Sequence, residues 1–350
     1  MIFRVKSENR TFWFPIYCIN DTTYQSTEYL LLGIFEIFLY LFAGYAIVQS
    51  VRLLLQITVF HYNMNYMMAI FLVQWFEAVI AKLIILPYEY GFILIGDHQS
   101  FTSWYTLNKL EMYKIDKFDE LFPLYIAAIL LWHYIYTILI GVVAIGFERA
   151  CATFYIHDYE STSRWHIPII LITMSHLFSL PFAYYMANNM VSFFFAFGIF
   201  LVFMSTVTLM FVVGWRVNAN MQMKLESDQT SNCYTLAQQF QIKENYKAMR
   251  LGKRLVKTAI IYSSMGGVLL IILILNLVPS IASFANHMFL TSVFLNPITI
   301  CPVLMSCSKV WQIRFWNFGR IRLVRSDVSV VKPTVNETDV YFMQLRNSWI

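Results

Sequence analysis

Leu124 to Phe147 reads LYIAAILLWHYIYTILIGVVAIGF, and Glu148-Arg149-Ala150-Cys151-Ala152-Thr153-Phe154-Tyr155-Ile156-His157-Asp158-Tyr159-Glu160 follows directly. The first part carries no charged residue. At ~1.5 Å per residue it makes a helix of roughly 36 Å, long enough to cross a bilayer. Glu148 and Arg149 arrive together where such a helix leaves the hydrocarbon. Two readings stand. In one, the pair marks the boundary, its side chains snorkelling to the interface. In the other, it is a switch in which Arg149 is held by Glu148 in one conformation and released to a cytoplasmic partner in another.

The composition says the same of the whole chain. Of 350 residues, 59% are hydrophobic and 13% charged, with a mean hydropathy of +0.58. Soluble domains carry about 25% charged residues, so this is an integral membrane protein. Nucleic-acid binding is thereby excluded. The five cysteines form no C-x-x-C pair and no mixed Cys/His cluster, so neither a zinc site nor a disulfide framework is expected. The first 28 residues contain no apolar h-region. The first long helix is therefore expected to serve as its own insertion signal.

Working outward, seven runs have the length and apolarity of membrane helices: about 29–51, 66–86, 124–147, 167–187, 190–215, 258–278 and 284–304. The fold expected is an all-α membrane protein, a seven-transmembrane helix bundle over residues 29–306. Residues 1–28 read as an extracellular tail and 307–350 as a cytoplasmic tail. Between and beyond the runs, one set of segments holds eighteen Lys and Arg and the other six. By the positive-inside rule the richer side is cytoplasmic, which puts the N-terminus outside and the C-terminus inside. The acceptor sequons at Asn9 and Asn20 fall in the tail so placed outside. The acidic 88–122 segment is the longest outer loop. It reads either as a cover for the mouth of the bundle or as a solvated connection.

On the opposite side, residues 238–257 are helix formers with basic positions at 243, 247, 250, 253, 254 and 257, which extends helix six into the cytosol. That surface suits anionic lipid, and a partner protein equally. After the last run, Trp311, Phe315 and Phe318 recur at helical spacing among basic residues, the pattern of an amphipathic helix on the inner leaflet. Cys307 stands where palmitoylation would occur.

Within the runs, Glu36, Glu77 and Lys82 would each cost several kcal/mol facing lipid, so they are expected to point inward. Glu36 and Lys82 lie at similar depth and are expected to pair, with Glu77 deeper. A structural clamp is preferred over a ligand contact for these three. Asn296-Pro297 predicts a kink in the last helix. His133, His176 and His287 read as hydrogen-bonded interior residues and not as metal ligands. No catalytic motif, cofactor fingerprint or metal site is found, so no enzyme and no cofactor are expected.

Several of these pieces together resemble the nematode serpentine receptor class epsilon family. They are Asn20-Asp21-Thr22, Glu36 early in helix one, Pro87-Tyr88-Glu89-Tyr90-Gly91, Glu148-Arg149 with Ala152-Thr153, Asp158-Tyr159-Glu160, and Asn296-Pro297. The resemblance covers nearly the whole chain. It implies a chemosensory receptor of the plasma membrane, of a sensory cilium, that takes a small-molecule ligand and couples to a heterotrimeric G protein. It implies Glu148 and Arg149 as the G-protein switch and Thr153, Asp158, Tyr159 and Glu160 as a cytoplasmic motif. The similarity to rhodopsin-like receptors is distant: Ile300 stands where their Asn-Pro motif places Tyr, Ala150 follows Arg149 in place of an aromatic residue, and Cys18 is the only outer cysteine. The alternative is a seven-helix ligand-gated ion channel of the insect olfactory kind, which has its N-terminus inside.

Overall fold

The longest uncharged run becomes the axis of the molecule. The computed structural model describes residues 1–6, 10–16, 18–19, 27–95, 101–102, 105–106, 108–156, 159, 164–227, 235–274, 277 and 281–316. Met1–Phe315 forms one unit, and the second, Trp316–Ile350, lies outside the described residues apart from Trp316. Seven helical spans are long and apolar enough to cross a membrane. Five are continuous: α1 (Thr27–Gln56), α4 (Phe122–Phe154), α5 (His166–Ala187), α6 (Phe193–Glu226) and α7 (Leu236–Ile274). Two are broken, the second into α2 (Tyr62–Val73) and α3 (Trp75–Glu89), the seventh into α8 (Ala282–Phe294) and α9 (Asn296–Met305). Central α4 packs against α2, α3, α5, α6 and α7. Where it meets α2, Gly141 is required, since a Cβ there would lie 2.6 Å from the Phe71 ring. Outward-facing positions are apolar, with Leu31, Phe35, Phe38, Leu41 and Val48 of α1 all exposed. In water such a face would be a liability, but in lipid it is the ordinary solvent-facing surface.

The break in span seven has an identifiable cause. Pro297 has no N–H to give the Val293 carbonyl, one turn back. The Asn296 side-chain amide donates to that carbonyl instead, at 2.9 Å. Span two breaks at Gln74, whose side chain turns to the Glu77 carboxylate.

At one end of the bundle, short strands add to the helices. β1 (Ile2–Val5) pairs antiparallel with β2 (Arg10–Trp13) and parallel with β5 (Tyr113–Ile115), giving the order β2-β1-β5. The register sets Ile2 opposite Trp13 and Phe3 opposite Tyr113. β3 (Cys18–Ile19) pairs with β4 (Phe101–Thr102). The two segments read from sequence as a tail and a loop therefore form one structure that covers this end of the helices. Period-two alternation drives it, sending Phe3, Val5 and Phe12 to one face and Ile2 and Trp13 to the other, all of them buried.

The opposite end carries α10 (Lys309–Trp316). Two residues of the pattern read as an amphipathic helix face the protein here, while Val310, Ile313 and Trp316 stay exposed. Trp311 and Phe315 are buried in protein, and the Trp311 indole donates to the Ile57 carbonyl at 3.1 Å. A carbonyl just past the end of α1 lacks a helical partner and is free to accept from the indole N–H. Phe318, the third residue of that pattern, lies outside the described residues.

Candidate functional site

Charged groups are rarest in a membrane bundle, so wherever they cluster they report what holds the helices together or moves them. At the end of α4 away from the strands, Glu148 and Arg149 are both fully buried. The guanidinium donates twice to Glu148, at 2.5 Å from each nitrogen, the fork-to-fork geometry of the strongest ion pairs. Its remaining face turns to α7, reaching Glu244 Oε1 at 3.4 Å and Asn245 Oδ1 at 3.3 Å. Glu244 in turn accepts from the His61 backbone N–H at 2.5 Å, at the start of α2. Glu148 accepts from the Tyr159 hydroxyl at 2.6 Å, and Asn63 donates to that hydroxyl at 3.1 Å. One polar network thus ties α2, α4, the segment after α4, and α7.

Around this core, Thr153 donates back to the Arg149 carbonyl and accepts from Asn218 of α6 at 3.2 Å. The Tyr159 phenol is pushed above its ordinary range by burial and by the carboxylate of Glu148, and stays protonated as a donor. His61 accepts from the Asn63 N–H and caps α2. Burial and the positive charge of Arg149 bring its imidazole down to about 4. Asp158 and Glu160 lie outside the described residues. So do Asn9 and Asn20.

Glu244, Asn245, His61, Asn63 and Asn218 were not picked out by sequence reasoning. Gln241, Glu244 and Asn245 recur at i, i+3 and i+4, a polar stripe inside a helix otherwise counted for its basic residues.

Farther along the bundle, the isolated charges find partners. The Lys82 ammonium is 4.0 Å from Glu36 but donates to Glu89 at 2.6 Å, so Glu89 is its principal partner. Glu36 also accepts from the hydroxyls of Tyr40 and Thr291, and His287 Nε2 stands 3.9 Å from its other oxygen. Glu77 meets His133 Nδ1 at 2.7 Å, and the His133 ring stacks on that of His176. Asn296 meets the Tyr134 hydroxyl of α4 at 2.8 Å through its amide. Cys307 is partly buried, and burial pushes its thiol up to about 12, which leaves little thiolate for acylation. Among the described residues no group of three His, Cys, Asp or Glu side chains gathers as a metal site would require.

The sequence as a whole is similar to known proteins. The family model described as the Sre G protein-coupled chemoreceptor matches residues 1–350. Serpentine receptor class epsilon-38 of Caenorhabditis elegans is 38% identical over 99% of this chain and 100% of its own length. Serpentine receptor class epsilon-37 of the same nematode is 35% identical over 100% of this chain and 99% of its own. The family is one of chemoreceptors and not of enzymes. With seven spans and full-length similarity of this kind, the chain is a multi-pass membrane protein and belongs to the Sre family of G protein-coupled chemoreceptors.

Proposed function

We propose that the chain is a chemosensory receptor of the plasma membrane, in a sensory cilium, that binds a small molecule in the strand-capped half of the bundle. The strand-capped end faces outward and the Arg149 end faces the cytoplasm, in keeping with eighteen Lys and Arg on one side against six on the other. A heterotrimeric G protein is the partner at the inner end, with the basic face of α7 and anionic lipid beside it. One observation carries this reading: the fully buried Arg149 is the element that clamps α4 to α7 through Glu244 and Asn245. Swinging the inner part of α7 away breaks those contacts and frees the guanidinium. Ligand binding then need only favour the swung arrangement.

Basal nucleotide exchange tests it, because no agonist is needed. In membranes holding receptor and heterotrimer, Glu244→Gln weakens the clamp and is expected to raise basal exchange several-fold at equal surface level. Adding Arg149→Gln is expected to abolish the gain. Wild-type basal exchange in Glu244→Gln, or a gain that survives loss of Arg149, overturns the switch. Topology is tested separately, since Asn9→Gln and Asn20→Gln should each remove one glycan. A cytosolic N-terminus would overturn the orientation.

A further inference from the structure

Span two leaves open a charge of the kind that membrane bundles hide. The side chains of Lys82 and Glu36 are 2% and 3% exposed, but that of Glu77 is 17% exposed, near the middle of Tyr62–Glu89. Glu77 ends a groove of about 460 Å³ between α1 and α2, a volume in the range of small-molecule sites. Leu55 of α1 and Ala69, Ile70 and Val73 of α2 line it, all of them apolar. Leu55 and Val73 are exposed, so the groove opens on the hydrocarbon. Tyr66 marks its other end, roughly 16 Å away along a helix.

Charge and bonding capacity together define what the groove takes. Glu77 Oε1 faces His133 Nδ1 at 2.7 Å, Oε2 accepts from the Gln74 amide, and His133 Nε2 stands 3.4 Å from His176 Nδ1. Two neutral imidazoles complete that chain, with His176 donating to His133 and His133 to Glu77. Its hydrogen bonds are then made with no cation to match the carboxylate, whose one ion-pair partner among the described residues is His133. An ionised carboxylate open to hydrocarbon is costly, and a cation beside it offsets that cost. A carboxylate also has about four lone-pair sites, of which these contacts use two. An ammonium seated in the groove finds the others.

We propose that this groove binds a lipophilic amine, with its protonated ammonium at Glu77 and an elongated apolar body lying along Val73, Ile70 and Ala69 toward Tyr66. Such a molecule reaches the groove through the hydrocarbon. A phospholipid does not fit the same description, because its headgroup stays at the bilayer surface while Glu77 sits near mid-span. The groove runs from mid-span toward the start of α2, away from the strand-capped end. It is therefore distinct from the ligand site of the receptor reading above and does not rest on that reading.

The probes are 4-phenylbutylamine and 4-phenylbutan-1-ol, which share a skeleton and differ in an ammonium against a hydroxyl. Their binding to purified full-length receptor in detergent is read by thermal shift at neutral pH, where the amine is protonated. Wild type is expected to bind the amine about tenfold more tightly than the alcohol, as a charge-assisted hydrogen bond requires. Glu77→Gln keeps an acceptor for His133 and removes the charge. It should bring the amine down to the level of the alcohol and leave the alcohol within about twofold of wild type. Val73→Trp fills the groove from a position already exposed to lipid, which spares folding, and should weaken both probes about fivefold. No binding of the amine, equal binding of the two probes by wild type, a preference that survives Glu77→Gln, or full amine binding in Val73→Trp overturns the proposal. Each of these leaves the Arg149 switch untouched, and failure of the basal-exchange test leaves the groove standing.

Discussion

Arg149 and Glu244 are 95 positions apart in sequence and meet at 3.4 Å with both side chains buried. Glu148 takes two of the guanidinium donors and Glu244 a third, so one cation serves two carboxylates. Removing one member of such a group leaves the others charged in a low dielectric, a loss of about 3–5 kcal/mol. Arg149→Ala should therefore lower the melting temperature of the purified receptor and its surface level together. Arg149→Ala with Glu148→Gln should recover part of both. A fully stable Arg149→Ala protein would mean that water already reaches the carboxylates.

Lys82 provides a second test of buried charge. Its 2.6 Å contact with Glu89 is a hydrogen-bonded ion pair, whereas the 4.0 Å approach to Glu36 is not. Double-mutant cycles on thermal stability should return a coupling of about 1–3 kcal/mol for Lys82 with Glu89, and a smaller one for Lys82 with Glu36. The reverse order would show that the two carboxylates exchange roles.

The His61 imidazole ties stability to pH. Burial first, and the charge of Arg149 second, bring its pKa from 6.5 to about 4. Between those values the unfolded chain binds a proton that the folded protein does not. Stability is thus fully present above the ordinary imidazole range and falls as pH drops toward the lower value. A depression of that size is worth on the order of 3 kcal/mol. Protonation also removes the acceptor that caps α2 at the Asn63 N–H. His61→Asn keeps an acceptor at the cap and cannot titrate, so its melting temperature should vary less between mildly acidic and neutral pH. An unchanged slope would assign the acid sensitivity to other groups.

Much of the fold was legible because the hydrocarbon tolerates so little: runs such as Leu124 to Phe147 admit few other interpretations. The break at Gln74 was hidden, since neither Gly nor Pro marks it. Glu89 was assigned to an acidic loop because the apolar run ends at Leu86, yet α3 continues to Glu89 and stacks it about two turns from Lys82 on one face. The strands escaped notice for a different reason. Pieces of two to four residues leave too short an alternation to read, and one of the two partners of Phe3 is the distant Tyr113. At the candidate site, Glu148 and Arg149 stood out as charges after a long uncharged run. Glu244 and Asn245 did not, being two polar residues in a helix full of them, and only the folded chain brings them to Arg149.

The pairing of Phe3 with Tyr113 also sets an order of events during synthesis. The residues of β1 meet β2 at once but cannot pair with β5 until α1, α2 and α3 have been threaded into the bilayer and the segment after them has emerged on the same side. Until then the β1 edge and the ring of Trp13 have nowhere to go, and a chaperone or the lipid surface must shelter them. Closing the cap is therefore a late step in biogenesis. A nascent chain arrested before Tyr113–Ile115 has emerged would carry an unpaired β1 edge, sensitive to protease, that becomes resistant only once that segment is out.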